Sequence, residues 1–159
     1  KDVGIHFFSH DFTYNGVKIS PEAYFNELKE HPVVISTDYS PFMDMPACVR
    51  FTNSYIDKAI SAFWQSKGIN VIPNATWSAP STYEYSVAGL PIGSIIAINS
   101  NGARKFNFSK YLWHKGYEYV VSHLKPSLIL RFGPKMPYEF EEISLYIESE
   151  HLNRMRYGR

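Results

Sequence analysis

Residues 33–46 have the sequence VVISTDYSPFMDMP. A short apolar run of β-branched residues, Val33–Ile35, ends there at a polar segment, Ser36–Ser40. The same succession of apolar run and polar turn occurs at Val71–Ser78, Ile95–Gly102 and Leu128–Pro134. Short, continuously apolar runs are typical of strands buried on both faces of a parallel sheet. Binding and catalytic groups collect at the carboxyl ends of such strands, so the polar segments contain the candidate site residues.

Periodic apolar residues predict helices between these strands. Spacings of three and four predict one long helix from about Pro46 to Lys67 and another from about Ser109 to His123. A shorter helix is predicted to start at Ser20-Pro21, and further strands at Ile5–Phe8 and Ile143–Ile147. This alternation predicts a single α/β domain over residues 1–159, with a mostly parallel sheet of about five or six strands and crossover helices. An open three-layer sheet and a partial βα barrel both fit the order of elements.

The composition is that of a globular protein. The chain has 159 residues, 45% of them hydrophobic and 16% aromatic, and a net charge of +1, so no global field favours nucleic acid or membrane. The single cysteine, Cys48, excludes an internal disulfide and fits a reducing compartment. No run of about 18 apolar residues predicts a membrane span, and we therefore expect a cytoplasmic protein without a membrane partner. The sequence begins at Lys1 rather than Met, so residues upstream could be missing.

Several common catalytic motifs are absent from the sequence. It contains no GxSxG elbow, no Walker phosphate loop, no GxGxxG fingerprint and no HExxH pair. These absences argue against standard serine hydrolases, P-loop NTPases and dinucleotide-dependent oxidoreductases. No Cys or His set has the spacing of a zinc site, so no structural zinc is predicted.

Asp38 is the main catalytic candidate. It is the carboxylate that directly follows a predicted buried strand, where it could act as general base, nucleophile or metal ligand. The alternative is a turn residue that caps nearby backbone amides. Tyr39 and Ser40 follow it and are candidate substrate-binding residues. The cofactor is unknown, although Asp38 and Asp44 could share a divalent cation if both faced one cleft.

Other candidate substrate-binding residues follow the next two predicted strands. Asn74 could orient a substrate hydroxyl or satisfy loop backbone, and Trp77 could stack on a base or sugar or simply cover the sheet. Ser78 lies beside Trp77. Ser100 and Asn101 form a polar turn whose backbone amides could hold an anion. Alternatively, the Asn-Gly sequence is there only because it favours a turn.

Basic residues in the second half of the chain are candidates for nucleic-acid binding. They are Arg104, Lys105, Lys135, Arg154 and Arg156. Binding through such residues would depend strongly on salt concentration. Acidic residues precede the C-terminal arginines, so the tail could also be a solvated end of mixed charge.

The chain resembles a known family over about residues 5–133. The resemblance lies in VISTDYSPFMDMP at Val34–Pro46, in Asn53-Ser54-Tyr55, and in the segment Trp64–Ser78. The later segments VAGLPIGS, SIIAINSNG and HKGYEYVVSHLKPSLILRFG match in the same order. The family is catalogued as domain of unknown function 4417 and occurs in bacteria and their phages and mobile elements. The resemblance therefore implies a protein of a phage or mobile element that is located in the cytoplasm of a bacterial host. It does not imply a particular reaction.

Three functions remain open from the sequence. The first is an enzyme or ligand-binding protein of a phage or mobile element that acts on a nucleotide, nucleic acid or small metabolite near Asp38. The second is a non-enzymatic protein that inhibits or recruits a host factor through Phe42, Met43 and Met45. The third is a nucleic-acid-binding accessory protein.

Overall fold

The computed structural model of the chain describes residues 2–148. The chain forms two compact units, an N-terminal unit of Lys1–Asn74 and a C-terminal unit of Ala75–Arg159. The assignment of the whole chain to a single domain stays a prediction. No helix in the described part of the chain is both long enough and apolar enough to cross a membrane.

The N-terminal unit pairs two short parallel strands. It consists of α1 (Asn15–Ile19), α2 (Phe25–Leu28), β1 (Val34–Ile35), α3 (Ala47–Ser66) and β2 (Val71–Ile72), with 3-10 turns at Asp11–Tyr14 and Pro21–Tyr24. In the β1–β2 pair, Val34 lies beside Val71 and Ile35 beside Ile72. The predicted helix after Ser20 is one 3-10 turn followed by the single turn of α2.

The predicted strand at Ile5–Phe8 is wrong. Only Ile5 bridges to the sheet, opposite Val34. The backbone then leaves the sheet, since the Phe8 N–H donates to His6 Nδ1 at 3.2 Å and the Ser9 N–H closes a tight turn onto the Phe7 carbonyl oxygen at 2.7 Å. Local hydrogen bonds therefore replace strand pairing after Ile5.

The long helix α3 confirms the prediction from periodicity. Pro46 precedes it with φ −53°, which suits a helix start, and Gly68 follows it with φ +87°, a conformation that glycine adopts without steric cost. Its buried stripe contains Ile60 and Trp64, and the same stripe also contains polar residues, namely Ser54, Asp57 and Ser61. A helix face that continues from apolar to polar residues places polar groups beside the sheet.

The C-terminal unit has a three-stranded parallel sheet in the order β3-β4-β5. It consists of α4 (Tyr83–Val87), β3 (Ile95–Asn99), α5 (Asn107–Leu124), β4 (Leu128–Phe132) and β5 (Ser144–Tyr146), with 3-10 turns at Pro80–Thr82 and Glu141–Ile143. Ile96, Ala97 and Ile98 are all fully buried, as expected for a strand covered on both faces. The predicted α/β class with parallel strands is confirmed, and the five described strands form two open sheets rather than a closed barrel.

Close side-chain contacts join the elements of the C-terminal unit. The Trp77 indole lies against Gly116 of α5 so closely that a Cβ there would be 2.1 Å from the ring. The fully buried guanidinium of Arg131 on β4 donates to both carboxylate oxygens of Glu139, each at 2.8 Å. It also lies 4.8 Å from the centre of the Trp113 ring. Bidentate pairing of this kind is the geometry in which a buried arginine is best satisfied.

Candidate functional site

The two strands of the N-terminal unit end side by side, and polar residues follow both. The Ser36 N–H donates to the Ile72 carbonyl oxygen at 3.0 Å, which extends the ladder beyond β1. The Ser36 hydroxyl oxygen accepts a hydrogen bond from the Asn74 N–H at 2.7 Å. The Asn74 side-chain amide donates to Asp38 Oδ1 at 2.7 Å. The parallel register thus brings together Asp38 and Asn74, two of the residues singled out in the sequence.

A second carboxyl group reaches this point from α3. Asp57 is only 5% exposed, and its Oδ1 accepts a hydrogen bond from the Tyr39 N–H at 3.0 Å. Burial raises the pKa of Asp57 well above its ordinary value. The Thr37 hydroxyl and the Tyr39 N–H lower this pKa, while the negative charge of Asp38 raises it further. The net effect favours the protonated form of Asp57.

Asp38 and Asp57 lie in one site but in different environments. Asp38 is 9% exposed and has an amide donor on Oδ1, whereas Asp57 is the more deeply buried.

Next to Asp57, burial lowers the pKa of Lys58 to about 8, although the Asp57 charge opposes that shift. The Lys58 ammonium group donates to the Ser54 hydroxyl oxygen at 2.8 Å. Burial thus disfavours the charged form of both Asp57 and Lys58.

We call Thr37, Asp38, Asp57 and Asn74 the β1–β2 polar cluster. Three of its buried polar atoms have no hydrogen-bond partner among the described residues: Thr37 Oγ1, Asp57 Oδ2 and Asn74 Oδ1. The Thr37 hydroxyl nevertheless lies near enough to the Asp57 carboxyl group to lower its pKa. Buried polar groups are nearly always partnered, so three such atoms in one cluster call for a ligand, a water molecule or a proton.

Tyr39 and Ser40, both predicted to bind substrate, hold the loop after β1. Tyr39 is buried and its hydroxyl donates to the Tyr14 carbonyl oxygen at 3.0 Å. The Tyr14 hydroxyl in turn donates to the Asp38 carbonyl oxygen at 2.8 Å. The Ser40 N–H donates to Asp11 Oδ2 at 3.0 Å. These bonds fix the backbone that carries Asp38, and substrate contact by either side chain stays a prediction.

The sequence did not single out Asp57 or Asp11. Asp57 could have been found, because it lies three residues before Ile60 and seven before Trp64, in the apolar stripe of α3. A carboxylate in such a stripe is expected to be buried. Asp11 carries no comparable signal, since it is the first residue of a short 3-10 turn.

The other predicted substrate-binding residues lie in the C-terminal unit. The Trp77 Nε1–H donates to the Trp113 carbonyl oxygen at 3.1 Å, so the half-buried indole is held by α5. The Ser78 N–H donates to the Thr82 hydroxyl oxygen at 3.0 Å, and the Ser78 hydroxyl is buried without a partner among residues 2–148. The Trp77 side chain and the Ser78 backbone thus have structural contacts, and a role of either residue in binding stays a prediction.

Ser100 and Asn101 lie at the end of β3. Ser100 is fully buried, and its hydroxyl donates to the Pro134 carbonyl oxygen. Asn101 is exposed, and its N–H donates to Asn99 Oδ1 at 3.0 Å, as in a turn. Ser100 therefore links the loops after β3 and β4.

Three of the five predicted nucleic-acid-binding residues are described, and all are exposed. Arg104 and Lys135 line one groove in the C-terminal unit, and Lys105 lies over the Phe106 ring at 5.4 Å. Arg154 and Arg156 lie outside the described residues.

No metal site is evident in the described residues. Nowhere in residues 2–148 are three His, Cys, Asp or Glu side chains placed to hold a metal ion. Asp44 is exposed in the turn before α3, whereas Asp38 is buried. The exposed side chains of Phe42 and Met43 lie in that same turn region.

Comparison with known proteins identifies the family. The gene 1 protein of Mycobacterium phage L5 is 33% identical over 129 residues, which cover 81% of this chain and 56% of the phage protein. The gene 1 protein of Mycobacterium phage D29 is 32% identical over 129 residues, 81% of this chain and 48% of that protein. The chain spans about half the length of these curated relatives. No solved structure matches significantly. The family described as Domain of unknown function (DUF4417) matches residues 1–150, and the chain belongs to it.

Proposed function

We propose that the β1–β2 polar cluster binds a small polar ligand and exchanges a proton with it, with Asp38 as the base. The observation that carries this proposal is the meeting of Asp38, Asn74 and Asp57 at the carboxyl ends of two parallel strands. In parallel sheets this edge is where ligands bind. The ligand classes that fit are a nucleotide or another small molecule with hydroxyl or amide groups.

The difference between the two carboxyl groups supports acid–base chemistry. Burial and the charge of Asp38 both raise the pKa of Asp57. A pair of carboxyl groups whose environments separate their pKa values can provide an acid and a base at the same pH. Asp57 then holds a proton while Asp38 accepts one. The Tyr39 N–H bonded to Asp57 Oδ1 fixes that carboxyl group in place.

Asn74 supports a role in orienting the ligand. Its amide nitrogen is used by Asp38, which leaves Oδ1 as a buried acceptor without a partner in the described chain. A ligand N–H or O–H would satisfy that oxygen. A site that hydrogen-bonds a polar ligand in this way discriminates strongly against analogues that lack the donor.

The context of the relatives supports a role inside an infected or prophage-carrying cell. Both relatives named above are mycobacteriophage proteins. We infer from this that the chain acts in the cytoplasm of a bacterial host.

The test is a titration of the chain with the four ribonucleoside monophosphates, followed by amide NMR. We expect saturable shifts of the Tyr39 and Asn74 amide resonances with at least one nucleotide. Asp38→Asn should weaken binding at least about tenfold, because a charge-assisted hydrogen bond contributes about 1.5–3 kcal/mol. Asp44→Asn, an exposed aspartate in the same segment, is the control and should bind like wild type. Equal affinity of Asp38→Asn and wild type would mean that Asp38 does not bind the nucleotide and is only a turn residue.

A further inference from the structure

A basic groove crosses the C-terminal unit. It has a volume of about 480 Å³ and is lined by Arg104, Lys110, Lys135, Met136 and Pro137. The three cationic side chains come from three different segments: the loop after β3, the first turn of α5 and the loop after β4. Met136 is buried and forms part of the core beneath the groove.

The positive charge of the groove is largely uncompensated. Lys135 forms an ion pair with the exposed carboxylate of Glu141. Among the ion pairs of residues 2–148, none involves Arg104 or Lys110. Three cations and one carboxylate give the groove a net positive charge, which suits a negatively charged partner such as a polyanion.

Exposed aromatic rings belong to the same segments. They are Phe106, Phe108 and Tyr111 around the start of α5, and Tyr138 next to Pro137. These rings are between 56% and 81% exposed, with Tyr138 the most exposed. Large exposed rings in the same chain segments as these cationic side chains are unusual for a surface that stays free.

Tyr138 has an unusual backbone conformation. Its φ is +62°, a left-handed conformation that few non-glycine residues adopt and that strains the backbone. One face of its ring approaches His114 of α5, with the ring centres 5.3 Å apart. Strain that presents an aromatic ring to solvent is typical of a binding residue.

We propose that this basic–aromatic surface binds single-stranded nucleic acid. It is defined by Arg104, Phe106, Phe108, Lys110, Tyr111, Lys135 and Tyr138. Arg104, Lys110 and Lys135 contact successive phosphates, and bases stack on the exposed rings. Single strands present the faces of their bases, whereas the bases of a duplex are already stacked and cannot reach these rings. The inference uses no residue of the β1–β2 polar cluster and stands independently of the function proposed above.

The experiment measures fluorescence anisotropy of labelled oligo-dT and oligo-U, each of about 15 nucleotides, with the full chain over a series of NaCl concentrations. Three phosphate contacts predict a slope of log K against log salt of about −2 for a single strand. Arg104→Ala should reduce the slope by about 0.7, the share of one phosphate. Tyr138→Ala should weaken binding about fivefold or more and leave the slope unchanged. The two oligonucleotides decide between DNA and RNA.

Matched controls come from the N-terminal unit. Lys67→Ala removes an exposed lysine, and Tyr55→Ala removes an exposed tyrosine on α3. Both should bind like wild type. Absence of binding at about 50 mM NaCl would overturn the proposal, since the electrostatic attraction is strong at low salt. Equal affinity for a duplex of the same length, with no effect of Tyr138→Ala, would also overturn it in favour of a surface that binds any polyanion.

Discussion

Replacement of Asp57 by asparagine should change how the stability of the N-terminal unit depends on pH. Asp57 is almost completely buried, and burial raises its pKa well above the ordinary value near 4. The native chain therefore keeps a proton that the unfolded chain releases above about pH 4. Asparagine has a similar shape and can still accept the Tyr39 N–H. Its amide group can donate to Thr37 Oγ1, which has no hydrogen-bond partner among the described residues.

The size of the effect follows from proton linkage. Between about pH 4 and the raised pKa of Asp57, the native state binds one proton more than the unfolded state. The free energy of unfolding of the wild type then falls by about 1.4 kcal/mol per pH unit from this group alone. Above the raised pKa, Asp57 is ionised in both the native and the unfolded state. The free energy of unfolding then no longer falls with pH because of this group. Asp57→Asn has no such proton, so its stability relative to wild type should rise by the same amount across this window.

The assay is urea unfolding of wild type and Asp57→Asn at pH 4, 5, 6 and 7. The indole resonance of Trp64, which is fully buried in the N-terminal unit, reports the transition. Asp44→Asn is the control and should follow the wild-type curve, because Asp44 is exposed. A constant difference in free energy between wild type and Asp57→Asn at all four pH values would refute the reasoning, since it would mean that Asp57 titrates as in the unfolded chain.

Further predictions concern the C-terminal unit. Gly116→Ala should destabilise it by about 1–3 kcal/mol and change the near-ultraviolet dichroism of Trp77, because the new Cβ would overlap that indole. Lys115→Ala on the same helix is the control. Burial alone would raise the pKa of Glu139, but hydrogen bonds and the charge of Arg131 lower it, so stability from this pair should decline as acid protonates Glu139. Glu139→Gln should cost about 3–5 kcal/mol at neutral pH and remove that acid dependence in thermal unfolding.

The parts of the fold that the sequence predicts are those determined by local pattern. The periodicity after Pro46 predicts α3 to within a residue at each end, because its apolar stripe and Gly68 are local signals. The strand predicted at Ile5–Phe8 pairs with the sheet only through Ile5, and the residues that follow pack against distant parts of the chain, as Phe7 does against Trp64. Tertiary packing of this kind leaves no sign in a short window of sequence.

The same distinction between local sequence pattern and tertiary packing applies to the candidate site. Asp38 and Asn74 each follow an apolar run, and parallel pairing of those runs is enough to predict that they lie near one another. The burial of Asp57 follows from its place in the apolar stripe of α3, whereas its hydrogen bond with the Tyr39 N–H depends on how α3 packs against the loop after β1. Trp77 shows the reverse case. Its position after a strand suggests that it lines a binding site, whereas in the structure its indole packs on Gly116.

The most direct test of the account is a carbon-13 NMR titration of the side-chain carboxyl groups in wild type and Asp38→Asn. The central claim is that Asp38 and Asp57 form one electrostatically coupled pair. It predicts that Asp57 titrates well above pH 4 in wild type and at a lower pH in Asp38→Asn, because the charge of Asp38 raises the pKa of Asp57. An Asp57 resonance that titrates near pH 4, or at the same pH in both proteins, would contradict it.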